Sequence, residues 1–195
     1  MKKAKRFLTG LLSAALALSL CAMPAMAAEG GTVDTSNPQK TTSVIDTSKK
    51  GSITIYKYNT TKQTAQGATG TGEIQTPPAG ATPLRGAEFT IYQVKNADWL
   101  QTYYGGGALA KGEKAPEVDD YFDKENGVVI SYEASNLVTG IADKVKGTQT
   151  TNDEGFAQFE NLDLGLYLVI ETKKPQSVVT AVTPFLVSVP MTRVQ

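Results

Sequence analysis

Residues 151–175 have the sequence TNDEGFAQFENLDLGLYLVIETKKP, which predicts two β-strands and two turns. The first turn is Asn-Asp-Glu-Gly at residues 152–155, because short polar side chains bond the nearby backbone and glycine allows a positive φ. A short strand is predicted over residues 156–159, and a second corner follows at Leu164-Gly165. Residues 166–172 then predict a buried strand. Short strands separated by such turn signals are typical of a β-sandwich.

The second of these strands places an ionisable group on an apolar face. Because successive side chains alternate between the two faces of a strand, Tyr167, Val169 and Glu171 share one face. A carboxylate on an apolar face is costly unless a partner compensates its charge. Glu171 therefore requires a partner.

A suitable partner lies on the first predicted strand, residues 51–58, with the sequence GSITIYKY. On this strand Ile53, Ile55 and Lys57 share a face. Its apolar stripe, like that of the Glu171 strand, therefore ends in one charged residue. If both stripes face one core, Lys57 and Glu171 meet inside a β-sandwich. In the alternative, both residues lie at strand ends and the Lys57 side chain extends to water.

Further strands and two short helices are predicted between these segments. Asn96 is placed to cap a helix in which Trp99 and Tyr103 lie at helical spacing. A weaker helix is predicted over residues 115–126, with Gly127 as its stop. The remaining predicted strands are residues 84–94, 128–132, 148–151 and 185–189. Together these features predict a mainly β fold with short helical insertions on one side of a β-sandwich.

Four segments carry a resemblance to a known family. Residues 165–175 resemble the E-box of Cna B-type domains in Gram-positive sortase-assembled pilins, Gly-x-Tyr-x-Leu-x-Glu-Thr-x-Ala-Pro, with departures at Val169 and Lys174. Three further segments, residues 45–57, 84–94 and 184–192, resemble other blocks of the first domain of backbone pilins and occur in the same order. The resemblance implies an Ig-like, Cna B-like β-sandwich and identifies the chain as the N-terminal domain of a SpaA-type major pilin subunit.

The same resemblance implies a role for the two charged residues. In such domains a buried neutral lysine attacks an asparagine side chain while a glutamate moves the protons, and this places Lys57 at the nucleophile and Glu171 at the catalytic position. The acceptor asparagine usually lies on the closing strand, but residues 184–195 contain none. Two alternatives therefore remain open, an isopeptide-type cross-link and a buried salt bridge between Lys57 and Glu171.

The N-terminus has the features of a secretory signal peptide. Residues 2–6 contain four basic side chains, residues 7–20 are mostly apolar, and Ala25-Met-Ala27 is a small-x-small cleavage site. We expect residues 1–27 to be removed, residues 28–50 to form a Thr/Ser-rich leader, and residues 51–195 to form one domain. The alternative is a retained membrane anchor.

Removal of residues 1–27 changes the charge of the chain. It takes away four of the 19 basic residues and none of the 19 acidic ones, leaving a formal charge of −4. Such a chain lacks the basic patch that nucleic acid or an anionic membrane requires. The removal also takes away the single cysteine, so disulfides cannot stabilise the exported protein.

The residue inventory argues against an enzyme. The chain has no histidine, which excludes triads and metal sites built on that residue. The acidic residues Asp119, Asp120, Asp123 and Glu125 match no calcium-loop spacing and fit a solvated helix face better. We therefore expect no catalytic turnover, no cofactor and no metal.

The resemblance implies a structural subunit of a covalently polymerised cell-surface pilus. A sortase would join one subunit's Leu-Pro-x-Thr-Gly signal to the lysine of a Tyr-Pro-Lys motif in the next, and the expected partners are neighbouring pilin subunits and that sortase. The sequence up to Gln195 contains neither motif, so we expect it to stop before the polymerisation lysine. The alternative is an ancillary or tip adhesin that binds host matrix or glycans through residues 59–83 or the Trp99 helix.

Overall fold

The computed structural model describes the backbone of residues 13–18 and, beyond these, residues 45–59, 76–77, 79–105, 114–176, 178 and 181–191. Most of these residues lie in or next to β-strands. The strands are β1 (Ser13–Leu18), β2 (Lys50–Asn59), β3 (Thr82–Pro83), β4 (Glu88–Asn96), β5 (Lys124–Glu125), β6 (Val128–Val129), β7 (Val145–Thr150), β8 (Phe156–Asp163), β9 (Gly165–Lys173) and β10 (Phe185–Val189).

The strands form two larger antiparallel sheets and one small hairpin. In the first sheet β2 pairs with β1, β3 and β8. The second sheet has the strand order β10-β9-β4-β7, and β5 pairs with β6 in the hairpin. The mainly β sandwich predicted from the sequence is therefore confirmed.

The main core lies between the two sheets. Alternate residues of β2 are buried, including Ile53 and Ile55, while the intervening side chains are partly exposed. They pack with the inward-facing residues of the other strands, among them Phe89, Phe159, Tyr167, Val169, Val187 and Val189. This alternation is what a sheet with one buried face requires.

A second core lies on the other face of β9. Leu166, Leu168 and Ile170 pack there against residues of the irregular segments, including Leu100, Tyr121, Phe122, Leu137 and Ile141. Seven consecutive residues of β9, from Gly165 to Glu171, are consequently buried. A strand covered on both faces has a continuous apolar sequence, as β9 does.

The first predicted helix is confirmed in position but is short. Helix α1 (Ala97–Leu100) begins after Asn96, whose side-chain oxygen accepts a hydrogen bond from the backbone N–H of Trp99 at 2.9 Å. A π-helical turn, Gln101–Gly105, continues it. The other helical pieces are 3₁₀ turns at Val118–Tyr121, Ala134–Asn136 and Ala142–Lys144. Within the residues described, no helix is long and apolar enough to cross a membrane.

The prediction of a helix over residues 115–126 is wrong. Only Val118–Tyr121 is helical, and the chain then enters the β5–β6 hairpin. The hairpin turn is Asn126-Gly127, where both residues have positive φ, 51° and 81°. Asn-Gly is the strongest two-residue hairpin signal, and the sequence interpretation used Gly127 only as a helix stop.

Several strand boundaries also differ from the prediction. The strand predicted over residues 128–132 is regular only at Val128–Val129, and the one predicted over 148–151 begins earlier and spans Val145–Thr150. The strand that begins at Phe156 continues to Asp163, because it pairs with β2 along most of its length.

Candidate functional site

Lys57 and Glu171 meet between the two sheets. Lys57 lies on β2 of the first sheet and Glu171 on β9 of the second. The Lys57 Nζ donates a hydrogen bond to Glu171 Oε2 at 2.7 Å, and both side chains are completely buried. Of the two arrangements considered from the sequence, the structure places these residues in the interior arrangement.

The backbone of Lys57 is held by segments other than its main strand partners. Its N–H donates to the carbonyl of Gly155 at 2.7 Å, and its carbonyl accepts from the N–H of Leu84 at 2.9 Å. Gly155 has a φ of +79°, and a Cβ there would lie 2.7 Å from the Lys57 carbonyl oxygen. The glycine of the turn signal therefore allows the turn before β8 to approach β2 at the site.

A buried threonine closes the same end of the site. The Thr151 hydroxyl donates to the carbonyl of Leu84 at 2.7 Å and accepts from the N–H of Ala87 at 3.0 Å. Sequence reasoning did not identify Thr151. Its only signal is its position just before the turn, where Ser and Thr commonly bond the backbone.

Glu171 has a second partner that the sequence did not reveal. Its Oε2 also accepts the backbone N–H of Val182 at 2.6 Å, from the segment between β9 and β10. Its other oxygen, Oε1, is buried and has no hydrogen-bond partner among the residues that the structure describes. A buried acceptor without a partner is rare and marks either a functional centre or a place for an ordered water.

Burial and the ion pair act on Lys57 in opposite directions. Burial lowers the pKa of Lys57, and the hydrogen bond and charge of Glu171 offset part of that shift. The Lys57 Nζ also lies 5.9 Å from the centre of the Phe89 ring, a cation–π distance. Since Phe89 pairs with Glu171 across β4 and β9, the ring forms one wall of the site.

The chemistry available at this pair depends on an acceptor. The inward-facing residues of β10 are Val187 and Val189, which lie in the main core, and the partly buried Phe185, which packs against it. None of these has a carbonyl side chain that an amine could attack. Among the described residues the site therefore consists of an amine, a carboxylate and a backbone N–H.

The helix aromatics belong partly to the interior. Trp99 and Tyr103 stack with ring centres 4.5 Å apart, and the Lys95 Nζ lies 5.5 Å from the Trp99 ring. Tyr103 is buried and Trp99 is partly exposed. Of the other adhesin segment considered above, residues 60–75 and 78 lie outside the described part of the chain.

The acidic residues near residue 120 act locally. Asp120 accepts the backbone N–H of Glu117 at 2.8 Å, and Asp119 accepts the hydroxyl of Tyr132 at 2.6 Å. No group of potential ligands that could hold a metal ion occurs in the portion of the chain that the structure describes.

Comparison with known proteins identifies the family of the domain. Residues 48–195 match the family model described as Gram-positive pilin subunit D1, N-terminal domain. The chain belongs to this family. The match covers the whole sandwich from before β2 to beyond β10, and thus includes both Lys57 and Glu171.

Relatives of this D1 domain are fimbrial proteins. The chain is 28% identical over 149 residues to a protein named fimbrial subunit type 2 of Actinomyces naeslundii, covering 75% of this chain and 26% of that protein. It is 30% identical to the full-length major pilin SpaD of Corynebacterium diphtheriae, covering 76% of this chain and 29% of that one, with a TM-score of 0.44. For the fimbrial protein FimP of Actinomyces oris the identity is 29%, the coverage 62% and 22%, and the TM-score 0.39. The D1 domain thus spans about a quarter of the length of these relatives.

Proposed function

We propose that the chain is the N-terminal domain of a structural subunit in a covalently polymerised pilus on the bacterial surface, serving sortase-mediated assembly and adhesion. The observation that carries this proposal is the D1 family match over residues 48–195. The relatives with similar sequences are named as fimbrial subunits or a major pilin.

The proposed partners are neighbouring pilin subunits and a pilus-specific sortase that acts on parts of the subunit outside this sequence. The domain itself is a structural element and not an enzyme. Two features support this role, the complete burial of the Lys57–Glu171 pair and the family to which the domain belongs.

The shaft subunit is favoured over a tip adhesin. The names of the relatives refer to fimbrial subunits and a major pilin, and Tyr103 of the aromatic helix is buried. A host ligand would then be bound by other parts of the pilus or by other subunits.

Within this function, the Lys57–Glu171 pair acts as a non-covalent tie between the two sheets. The amine and the carboxylate are in direct contact and desolvated, and the inward positions of β10 are apolar. A buried pair of this kind is strongly destabilised when one partner is removed, because the other charge is left uncompensated. The tie would hold β2 against β9 when the domain is under load.

Export is part of the same proposal. We expect cleavage after Ala27, with the processed subunit beginning at Ala28. The mass or the N-terminal sequence of the protein taken from the cell surface tests this step, and a subunit that retains residues 1–27 would contradict it.

The experiment for the function uses antibodies against the D1 domain on the intact bacterium and on its cell-wall extract. A shaft subunit gives a ladder of large species that survives boiling in detergent and labels fibres along their length. In a strain without the pilus sortase the ladder collapses to one monomeric band. Labelling restricted to fibre tips, or a single band in the wild type, would reject the shaft assignment.

A further inference from the structure

The outer edge of β2 is occupied by a segment that export is expected to remove. Strand β1 (Ser13–Leu18) pairs antiparallel with Thr54–Asn59 through six residue pairs, from Ser13 with Asn59 to Leu18 with Thr54. Residues 54–56 pair at the same time with β8. The two partners therefore lie on opposite edges of β2, and β1 covers the edge away from β8.

The predicted signal peptide, residues 1–27, includes all of β1. Its cleavage would leave the Thr54–Asn59 edge without the partner that the full chain gives it. Unpaired N–H and C=O groups along a strand edge are a template for another strand. We propose that, in the processed subunit, this edge pairs with the same edge of a second copy of the chain.

The hydrogen-bonding groups of this edge can be assigned from Lys57. Its N–H and carbonyl bond to Gly155 and Leu84, on the β8 and β3 side. Because the backbone groups of successive strand residues point to opposite edges, those of Tyr56 and Tyr58 point to the edge that β1 covers. Processing thus releases the N–H and carbonyl groups of these two tyrosines.

This edge lacks the features that usually block strand addition. Thr54–Asn59 contains no proline, and its only charged residue is Lys57. An inward-pointing lysine normally protects an edge because pairing would bury it. Here Lys57 is already fully buried against Glu171, so further pairing adds no cost of burying its charge.

The two outer strands of the second sheet are less suitable. β10 is flanked by Pro184 and Pro190, which have no N–H to donate. β7 carries Lys146, and most of its residues are exposed, which is the charged pattern of a protected edge. The edge of β2 is therefore better suited to a second copy than either of these two.

The side chains of the edge suit pairing with themselves. Two identical antiparallel edges related by a two-fold axis form an isologous contact. A register centred on Tyr56 would place Tyr56 opposite Tyr56 of the second copy and Thr54 opposite its Tyr58. The rings of Tyr56 and Tyr58 already lie side by side, with centres 6.4 Å apart and nearly parallel planes. Aromatic cross-strand pairs add stability to such a contact.

The contact is small. A contact of this length buries less than the roughly 1,200–2,000 Å² of a stable complex, so an isolated pair of subunits would associate weakly. In a polymer each subunit would contribute one such contact, and many weak contacts in parallel bind strongly. Resting on the proposed pilus function, the edge would act as a lateral contact between neighbouring fibres.

The test uses the processed subunit, with its N-terminus at Ala28 verified by mass. Sedimentation equilibrium should detect a concentration-dependent dimer, and amide hydrogen exchange at residues 54–59 should slow as dimer forms. The full chain made without export, which keeps β1, should remain monomeric at the same concentrations.

Variants separate edge pairing from folding. Tyr56→Lys places two like charges directly opposite each other on the two-fold axis and should abolish the dimer, whereas Thr150→Lys on β7 should leave it unchanged. Tyr58→Pro removes one edge N–H and should act like Tyr56→Lys. Each variant is checked for an unchanged circular dichroism spectrum.

Three outcomes would overturn the inference. One is a processed subunit that stays monomeric at every concentration. Another is slow exchange at residues 54–59 in that monomer, because the subunit's own chain would then cover the edge. The third is a dimer that tolerates both Tyr56→Lys and Tyr58→Pro. The pilus assignment is tested separately by the sortase-dependent ladder and would survive any of these results.

Discussion

Lys57 and Glu171 lie 114 positions apart in the chain, and their side chains meet in a 2.7 Å hydrogen bond between the two sheets. Among the described residues, the other ion pairs have exposed side chains. The stability of the sandwich should therefore respond more to this pair than to any exposed one.

Removing one member of the pair should be more harmful than removing both. Lys57→Met leaves a buried carboxylate uncompensated and should lower the free energy of unfolding by about 3–5 kcal/mol. Glu171→Leu should cost a similar amount, and the double variant Lys57→Met/Glu171→Leu should cost less than either single variant. Urea unfolding followed by circular dichroism measures all three.

The exposed pair Lys50–Asp163 offers a matched control for this cycle. It also joins a lysine on β2 to a carboxylate more than a hundred positions away, but both side chains are more than half exposed, at 53% and 55%. Lys50→Met should change stability little, because exposed ion pairs are screened by water. Equal effects of Lys50→Met and Lys57→Met on the free energy of unfolding would mean that the burial of the Lys57–Glu171 pair does not add to its contribution.

The Lys57 pKa predicts a pH dependence of known sign. Burial lowers the pKa of Lys57 below its ordinary value of 10.5. Between the lowered pKa and 10.5 the unfolded chain holds the proton and the folded chain does not, so stability gained through Lys57 rises with pH in this window. The difference in unfolding free energy between wild type and Lys57→Met should therefore shift in favour of wild type as pH approaches 10.5. A difference that is flat or falls over this range would contradict the pKa direction.

Two buried tyrosines predict the opposite trend above pH 10. Burial raises the pKa of Tyr121 to about 12, and it also raises the pKa of Tyr167, whose hydroxyl donates to the Asp163 carbonyl at 2.6 Å. A raised pKa gives stability that is present below the ordinary value of 10.0 and is lost as pH rises through the folded pKa. The absorbance of ionised tyrosine should therefore rise in two parts. The exposed tyrosines ionise in the folded protein, and the buried ones ionise only as the protein unfolds. In Tyr167→Phe this coupled part should be smaller, and independent titration of all tyrosines in the native state would contradict the expectation.

Gly155 and Gly80 separate steric conflict from backbone strain. Both have a positive φ, 79° and 76°, but a Cβ at Gly155 would lie 2.7 Å from the Lys57 carbonyl oxygen, and one at Gly80 meets nothing within 4 Å. Each alanine substitution carries the strain of a positive φ, about 1–3 kcal/mol. Gly155→Ala should cost clearly more, since β2 must also move. Thermal unfolding of the two variants measures the difference, and equal melting temperatures would show that the close approach is not required.

The mass of the domain expressed as residues 28–195 distinguishes a tie from a cross-link. A lysine–asparagine bond releases one ammonia, a deficit of about 17 Da. Because the inward positions of β10 are apolar, we expect the full mass of these residues without that deficit. Intact-mass spectrometry after denaturation decides this, and a deficit that disappears in Lys57→Met would establish a covalent bond at Lys57.

Local patterns in the sequence were sufficient for most of the sandwich. The alternation in β2, the turn at residues 152–155 and the apolar run of β9 each depend on neighbouring residues, because strand faces and turns follow from backbone geometry. The cap at Asn96 is local in the same way. The helix predicted over residues 115–126 failed because its aromatic residues, Tyr121 and Phe122, pack against the outer face of β9 from a non-helical chain.

The site was predictable only in part. Opposite charges at the ends of two apolar stripes identified Lys57 and Glu171. Val182 contributes only its backbone N–H, and since every residue except proline has one, no residue type in the sequence could point to it. Thr151 and the close approach of Gly155 likewise depend on where distant segments pass each other.

The sequence by itself determined that the chain forms a β-sandwich with one basic and one acidic group on opposite apolar stripes, since side-chain alternation and turn chemistry act over a few residues. Only the tertiary structure decided that these groups touch, that one oxygen of Glu171 has no partner among the described residues, and that β1 lies along the outer edge of β2. The physical reason is that burial and long-range pairing depend on how the two sheets pack, and residues 114 positions apart are brought together by that packing alone.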